Sequence, residues 1–289
     1  MTANVLSQSS QVPTTDAVFL DSIQFTAAIG SDCWRRPKPQ PVLASVYLYL
    51  HSSFLDACGT SDDVKDSVHY GHLAKAVSAI VGERERTDTP YTGVHALIQD
   101  ITRVAFELAE QNAIAVRVVV DLPKQILLAS GFSVDVTTPR AKAGEGGCGD
   151  RNFPASATIC VRDLVLPVLI GVNPPERLAR QRVITNITFY ERPCTTSEST
   201  SKATVSQPQA NEVDYTMVLQ LLYEFINSTS YLTLEKLVLE LIRACFRMTS
   251  PQVDAVTVRC EKPSAISFAH ASGVQITRRR EEVNIASET

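Results

Sequence analysis

The feature that most constrains this chain is that it carries one plan twice. The segment DAVFLDSIQFTAAIG (16–30) lies over ATICVRDLVLPVLIG (157–171) at a separation of 141 residues. Val18 meets Ile159, Leu20 meets Val161, Ile23 meets Leu164, Phe25 meets Leu166, and Ile29-Gly30 meets Ile170-Gly171. SVHYGHLAKAV (67–77) then falls on EVDYTMVLQLL (212–222) at 145, with Tyr70 over Tyr215. VHALIQDITRVAF (94–106) falls on LEKLVLELIRACF (234–246) at 140. The stretch 119–134 falls on the one containing VRCEKP, with Pro123 over Pro263, again at 140. Four blocks in the same order at nearly constant spacing make this a tandem duplication. Its 289 residues suit two domains of average size.

The expected organisation is a disordered N-terminus (1–15), a first domain (16–136), a linker (137–156) and a second domain (157–281). The linker TTPRAKAGEGGCGDRNFPAS is rich in Gly, Pro and charge. A polar run, TTSESTSKATVSQPQANE (195–212), interrupts the second half and reads as a surface loop. Within each half the order is strand, strand, helix, helix, strand, strand. VFLDSIQF and QPVLASVYLYL alternate as half-buried strands do. Asp62 and Asp63 precede a helix containing Tyr70, and VHALIQDITRVAFELAE sets Leu97, Ile101, Val104, Phe106 and Leu108 largely on one side. The simplest packing is an α+β fold: in each half, a four-stranded antiparallel sheet with two helices on one face.

Composition narrows the function classes. The net charge of −4 leaves no footprint for nucleic acid. No stretch approaches the ~20 uninterrupted apolar residues of a membrane-spanning helix. The first fifteen residues hold no Arg or Lys and no apolar core, so a secretory signal is not expected. Seven scattered cysteines include no C-x-x-C pair and behave as small core hydrophobes, as in TICV and RACF, which points to a reduced, cytoplasmic protein. The five histidines are dispersed; His69 and His72 share a helix face with no third ligand nearby, so no metal is expected and they read as solvated or capping. Arg278–Arg280 reads as a solvated strand end.

In the second half, IGVNPPERLARQRVITNITF, VDYTMVLQLL, YLTLEKLVLELI and VRCEKPSAI follow in order. This series resembles dihydroneopterin aldolase of folate biosynthesis, with its G-V-x-x-x-E turn, helix tyrosine, T-L-E-x-L helix start and K-P loop. As two copies the resemblance covers nearly the whole chain, like the front of fungal multifunctional folate enzymes. It implies a pair of tunnelling-fold domains assembling into a ring or barrel of four modules, hence a homodimer or homotetramer of these chains. It implies a pterin substrate, no cofactor, and retro-aldol cleavage of 7,8-dihydroneopterin, with epimerisation as a companion activity. The alternatives are a non-catalytic assembly module and another pterin-binding enzyme of the same fold.

The resemblance places Glu176 at the turn, Tyr215 on the helix, Leu234 and Glu235 at the pterin-binding helix start, and Lys262 as general base. In the first copy the same positions are Arg35, His95 and Leu122, and only the tyrosine survives, as Tyr70. Taken alone, Glu235 is an acid complementing a helix dipole and Lys262 a solvated loop lysine. With the resemblance, Glu235 becomes the acceptor for the adjacent 2-amino and N3–H donors of a pterin. Lys262 would need a lowered pKa to take a hydroxyl proton near neutrality. The family's pocket lies between modules, with the tyrosine coming from the neighbour. If the copies alternate around a ring, Glu176, Glu235 and Lys262 meet Tyr70, and Tyr215 faces the degenerate positions. If second copies face each other, Tyr215 completes the live site. SDDVKDSVHYGHLAKAV matches the family helix more closely than its counterpart and points to Tyr70, but both arrangements stay open on sequence alone.

Overall fold

The computed structural model describes residues 15–141, 153–192 and 213–284. Nearly all of the expected N-terminal tail, most of the linker, the polar run (195–212), Cys148 and Cys194 lie outside those residues. The first half runs β1 (Asp16–Ala27), β2 (Gln40–Leu50), a short α1 (Asp56–Ser61), α2 (Tyr70–Arg86), α3 (Val94–Ala109), β3 (Ala113–Asp121) and β4 (Gly131–Pro139). The second runs β5 (Ser156–Val168), β6 (Gln181–Glu191), α4 (Tyr215–Asn227), α5 (Leu234–Met248), β7 (Val253–Lys262) and β8 (Ser272–Arg279). Each half thus contributes four antiparallel strands and two long helices. Strand β4 extends to Pro139, three residues into the stretch read as linker.

The halves share one sheet. All eight strands pair in chain order, each antiparallel to the next, and β4 meets β5 from Gly131↔Arg162 to Thr137↔Ser156. Strands β1 and β8 are left as the two edges. Burial follows the period of two expected of strands covered on one face. In β2, Val42, Ala44, Val46, Leu48 and Leu50 are buried while their neighbours are half-buried or exposed. Those residues join one core with Leu73 and Val77 of α2, Leu97 and Ile101 of α3, Leu222 of α4 and Leu241 of α5. The stripe on α3 differs in part from the expected one. Ile98, Ala105 and Ala109 belong to it with Leu97, Ile101 and Val104, whereas Phe106 and Leu108 are only half-buried.

Three internal details repeat with the duplication. A bulge between Leu20 and Ile23 puts Ser22 at φ 53°, its N–H donating to Ser45 Oγ; between Val161 and Leu164, Asp163 sits at φ 47° and donates to Asn186 Oδ1. Tyr70 and Tyr215 each open a helix, capped by the preceding side chain: His69 Nδ1 accepts from Gly71 N at 2.9 Å, and Asp214 accepts from Met217 N at 3.0 Å. His69 therefore caps, and its ring stacks on His72 at 4.7 Å.

The third detail corrects the reading of the arginine run. Arg280 is not a solvated strand end: it donates to the carbonyls of Phe246, Thr249, Ser250 and Val253 and lies 4.8 Å over the Phe246 ring. Arg140, its counterpart, donates to Phe106, Glu110 and Ala113 carbonyls and lies 4.6 Å over Phe106. Both satisfy carbonyls at the C-terminal end of a helix that have no intrahelical partner. Cys245 and Cys260 are buried as expected, with thiols pushed up to about 12 by burial. Among the described residues, no helix is long and apolar enough to cross a membrane.

Candidate active site

In the second half the turn after β5 is built around Gly171, at φ +131°, where an added Cβ would collide with the Glu176 carboxylate. Glycine is the residue that permits both the conformation and the close approach. A 3-10 turn (Pro174–Arg177) follows, in which Glu176 Oε2 accepts from Asn173 N at 3.1 Å and Asn173 Nδ2 at 2.9 Å. Arg177 ties this turn to the α4–α5 connection through the carbonyls of Tyr231 (2.9 Å) and Ser230 (2.7 Å). Glu176 reaches from there to the end of β7, where its Oε1 accepts from Lys262 Nζ at 2.5 Å. Both side chains are largely shielded from solvent. The Lys262 ammonium, aided by the Asn173 amides, holds the Glu176 carboxyl down to about 2.

Helix α5 begins beside this turn. Thr233 caps it by accepting from Lys236 N at 3.3 Å, Leu234 is half-buried and Glu235 is exposed in the first turn. The structure therefore joins Glu176 to Lys262 directly and puts Leu234 and Glu235 on the element that Arg177 anchors. Tyr70 lies elsewhere, at the start of α2 and 65% exposed.

The corresponding elements of the first half enclose a cavity of about 480 Å³. Its lining includes Arg35, His95 and Leu122, the three positions that replace Glu176, Glu235 and Lys262. The wall opposite comes from the second half: the start of α4, Val213–Met217. Tyr215 is thus the tyrosine that meets the first half's site within one chain. It is buried, packs against Phe189 at 4.9 Å, and its hydroxyl donates to Glu191 Oε1 at 2.5 Å. Glu191, only 7% exposed at the end of β6, also lies 3.9 Å from His95 Nε2. Sequence reasoning did not single out Glu191, because an acid closing a strand in TFYER looks like any solvated strand end. Two hydrogen bonds bridge the halves here: Arg35 to Gln220 at 2.7 Å and Gln125 to Thr216 at 3.1 Å.

The first half's pocket thus lies between the two halves, with Tyr215 at the start of α4 opposite the turn of Arg35, the helix start of His95 and the strand-end loop of Leu122. The profile of dihydroneopterin aldolase matches residues 18–137 and 159–277. The chain belongs to the dihydroneopterin aldolase family. Curated relatives match across both halves of the chain. The chain is 27% identical over 271 residues to folic acid synthesis protein fol1 of Schizosaccharomyces pombe, covering 92% of this chain and 31% of that protein. It is 24% identical over 268 residues to the fol1 protein of Pneumocystis carinii, covering 92% of this chain and 32% of that one. The chain spans about a third of the length of these relatives. Among solved structures, a uricase from Arthrobacter globiformis superposes over 96% of this chain and 98% of its own, with a TM-score of 0.63 at 10% identity. That likeness shows the fold alone.

Proposed function

We propose that this chain is a dihydroneopterin aldolase acting in folate biosynthesis, with one live site per chain built by Glu176, Glu235 and Lys262 and completed by Tyr70 of a neighbouring chain. The observation that carries the arrangement is the junction inside the chain. There β4 pairs with β5, and Tyr215 of the second half faces Leu122, His95 and Arg35 of the first. Repeating that junction between β8 of one chain and β1 of the next puts Tyr70 against Lys262. Strands β1 and β8 are the free edges such a contact needs, and exposed edges are a liability that proteins cover or close. The assembly is then a ring of two chains, singly as a homodimer or stacked as a homotetramer.

In this reading Glu235 accepts the parallel 2-amino and N3–H donors of the pterin, a charge-assisted pair. Lys262, acting as the neutral amine, takes the proton from the 2′-hydroxyl and becomes the ammonium. That hydroxyl becomes the carbonyl of glycolaldehyde as the C1′–C2′ bond breaks, and the bonding electrons pass into the conjugated dihydropterin ring. Tyr70 relays a proton to the resulting enol-type intermediate, and protonation at C1′ gives 6-hydroxymethyl-7,8-dihydropterin. The ring is the electron sink, so the residues need only position and move protons. Glu176 fixes Lys262 Nζ; epimerisation at C2′ would use the same intermediate in reverse.

The test is complementation. Lys262→Ala and Tyr70→Phe chains are purified, each assayed on 7,8-dihydroneopterin, then mixed under conditions that exchange subunits. Each alone should be strongly impaired and the mixture should recover activity, because a ring of both retains one junction with intact Lys262 and Tyr70. If Tyr70→Phe alone is silent while Tyr215→Phe is dead, the second copies face one another and the arrangement is wrong.

A further inference from the structure

We infer that the cavity between the two halves of one chain is a second ligand site, selective for a small organic anion with a ring-bearing body. The argument starts from which groups the cavity has left to offer. At two of the three matched positions an acceptor has become a donor, Arg35 standing for Glu176 and His95 for Glu235, and at the third the lysine is replaced by apolar Leu122. A site that accepted hydrogen bonds from a ligand has become one that donates them. The carboxylates nearby do not cancel this: Glu191 lies behind the lining and accepts from the Tyr215 hydroxyl. Asp32 is consumed locally, bound to Arg36 at 2.7 Å and accepting from the N–H groups of Trp34 and Arg36; these contacts hold its carboxyl below the usual range. Asp214 is occupied as the cap of α4. The Arg35 guanidinium, by contrast, has no carboxylate partner among the described residues and donates to the neutral Gln220.

The remainder of the enclosure suits the body of such a ligand. Leu122, Phe132 and Tyr215 form an apolar wall, the two rings 6.2 Å apart and tilted by 47°. A volume of about 480 Å³ is that of a small-molecule pocket, not of a packing defect. The start of α3, where Gly93 supplies no capping side chain, borders the same space and adds backbone N–H donors to the guanidinium. Loss of the aldolase residues has therefore left a formed pocket with a different preference, not a filled one.

The single tryptophan, Trp34, adjoins Arg35 and provides the readout. The intact protein is titrated with benzoate and phenyl phosphate, with neutral benzamide and inorganic phosphate as controls, following Trp34 fluorescence and calorimetry. Either aromatic anion should saturate below about 10 mM, a reasonable affinity for so few atoms. Whichever of the two binds tighter identifies the preferred head group. Benzamide and inorganic phosphate should each bind at least tenfold more weakly, and Arg35→Glu, checked for folding by circular dichroism, should lower anion affinity at least tenfold. Lys262→Ala should bind as the unmodified chain does, which separates this site from the proposed aldolase site. Equal binding of benzamide and benzoate, retained affinity in Arg35→Glu, or loss of binding in Lys262→Ala would each overturn the inference. So would the absence of saturation by either anion.

Discussion

Gly30 and Gly171 occupy the same position of the repeat, both at positive φ (+103° and +131°), and their surroundings differ in one respect. A Cβ on Gly171 would collide with the Glu176 carboxylate, whereas a Cβ on Gly30 would meet nothing within 4 Å. Alanine at either position bears the strain of a conformation nearly reserved for glycine, of order 1–3 kcal/mol. For a domain of this size that is a fall in Tm of about 3–10 °C, seen for both variants. Only Gly171→Ala must also move Glu176, and with it the anchor of Lys262 Nζ. A displacement of about 1 Å in a reacting group costs on the order of 10²-fold in turnover, equivalent to about 2.7 kcal/mol of barrier. The pair is measured by thermal melts and by turnover of 7,8-dihydroneopterin followed chromatographically. The expected result is two similar melts and two very different rates, Gly30→Ala near the unmodified chain and Gly171→Ala about a hundredfold lower. Equal rates in the two variants would refute the claim that Glu176 positions the catalytic lysine through this turn.

Three further outcomes are expected. Arg280→Ala should destabilise by about 2–4 kcal/mol in urea melts, because several helix-end carbonyls lose a charged donor, while Arg278→Ala, removing a half-buried side chain that among the described residues donates only to the adjacent Thr277 carbonyl, should change stability by less than about 0.5 kcal/mol. Glu176, held at about 2 in the folded chain, contributes stability that is fully present above its ordinary value near 4.5 and is lost as pH falls from there through about 2. The stability difference between the unmodified chain and Glu176→Gln should therefore shrink across that window; a difference constant from pH 7 to 2 would contradict the ion pair with Lys262. Glu235→Gln should weaken pterin binding by about 2 kcal/mol before it changes turnover, and an unchanged dissociation constant would remove it as the pterin anchor.

The strand and helix order of each half was legible because the duplication confirms every weak local signal a second time. Helix starts at Tyr70, Leu234 and Val94 matched the blocks that aligned. What local pattern could not show was any contact between the halves. The β4–β5 pairing depends on two edge strands finding each other across residues 142–152, and nothing in GFSVDVTTP distinguishes an edge that will be covered from one left free. The facing of Tyr215 with Leu122, one of the two arrangements the resemblance left open, follows from that pairing, whereas the bond of Tyr215 to Glu191 within the second half had no local signal. Arg280 was misread because in a run of three arginines, charge suggests solvent; only the carbonyls left over at the end of α5 give it a reason to fold back. Its counterpart Arg140, hidden in the apparent linker, carried the usable signal at a spacing of 140.

The sheet's two unpaired edges are not alike: one is the opening strand of the first half and the other the closing strand of the second. A contact that joins them is heterologous, and a heterologous contact either returns on itself or propagates. Curvature decides between those fates, and the paired bulges at Ser22 and Asp163 are among the places where this sheet adds local twist. Straightening either bulge changes the angle at which the next chain docks without weakening the docking itself. In the proposed ring, such a lesion would leave each chain folded and its edges just as adhesive, yet turn a closed assembly into an open fibre. For the proposed ring, the characteristic failure is thus polymerisation of well-folded protein, not unfolding.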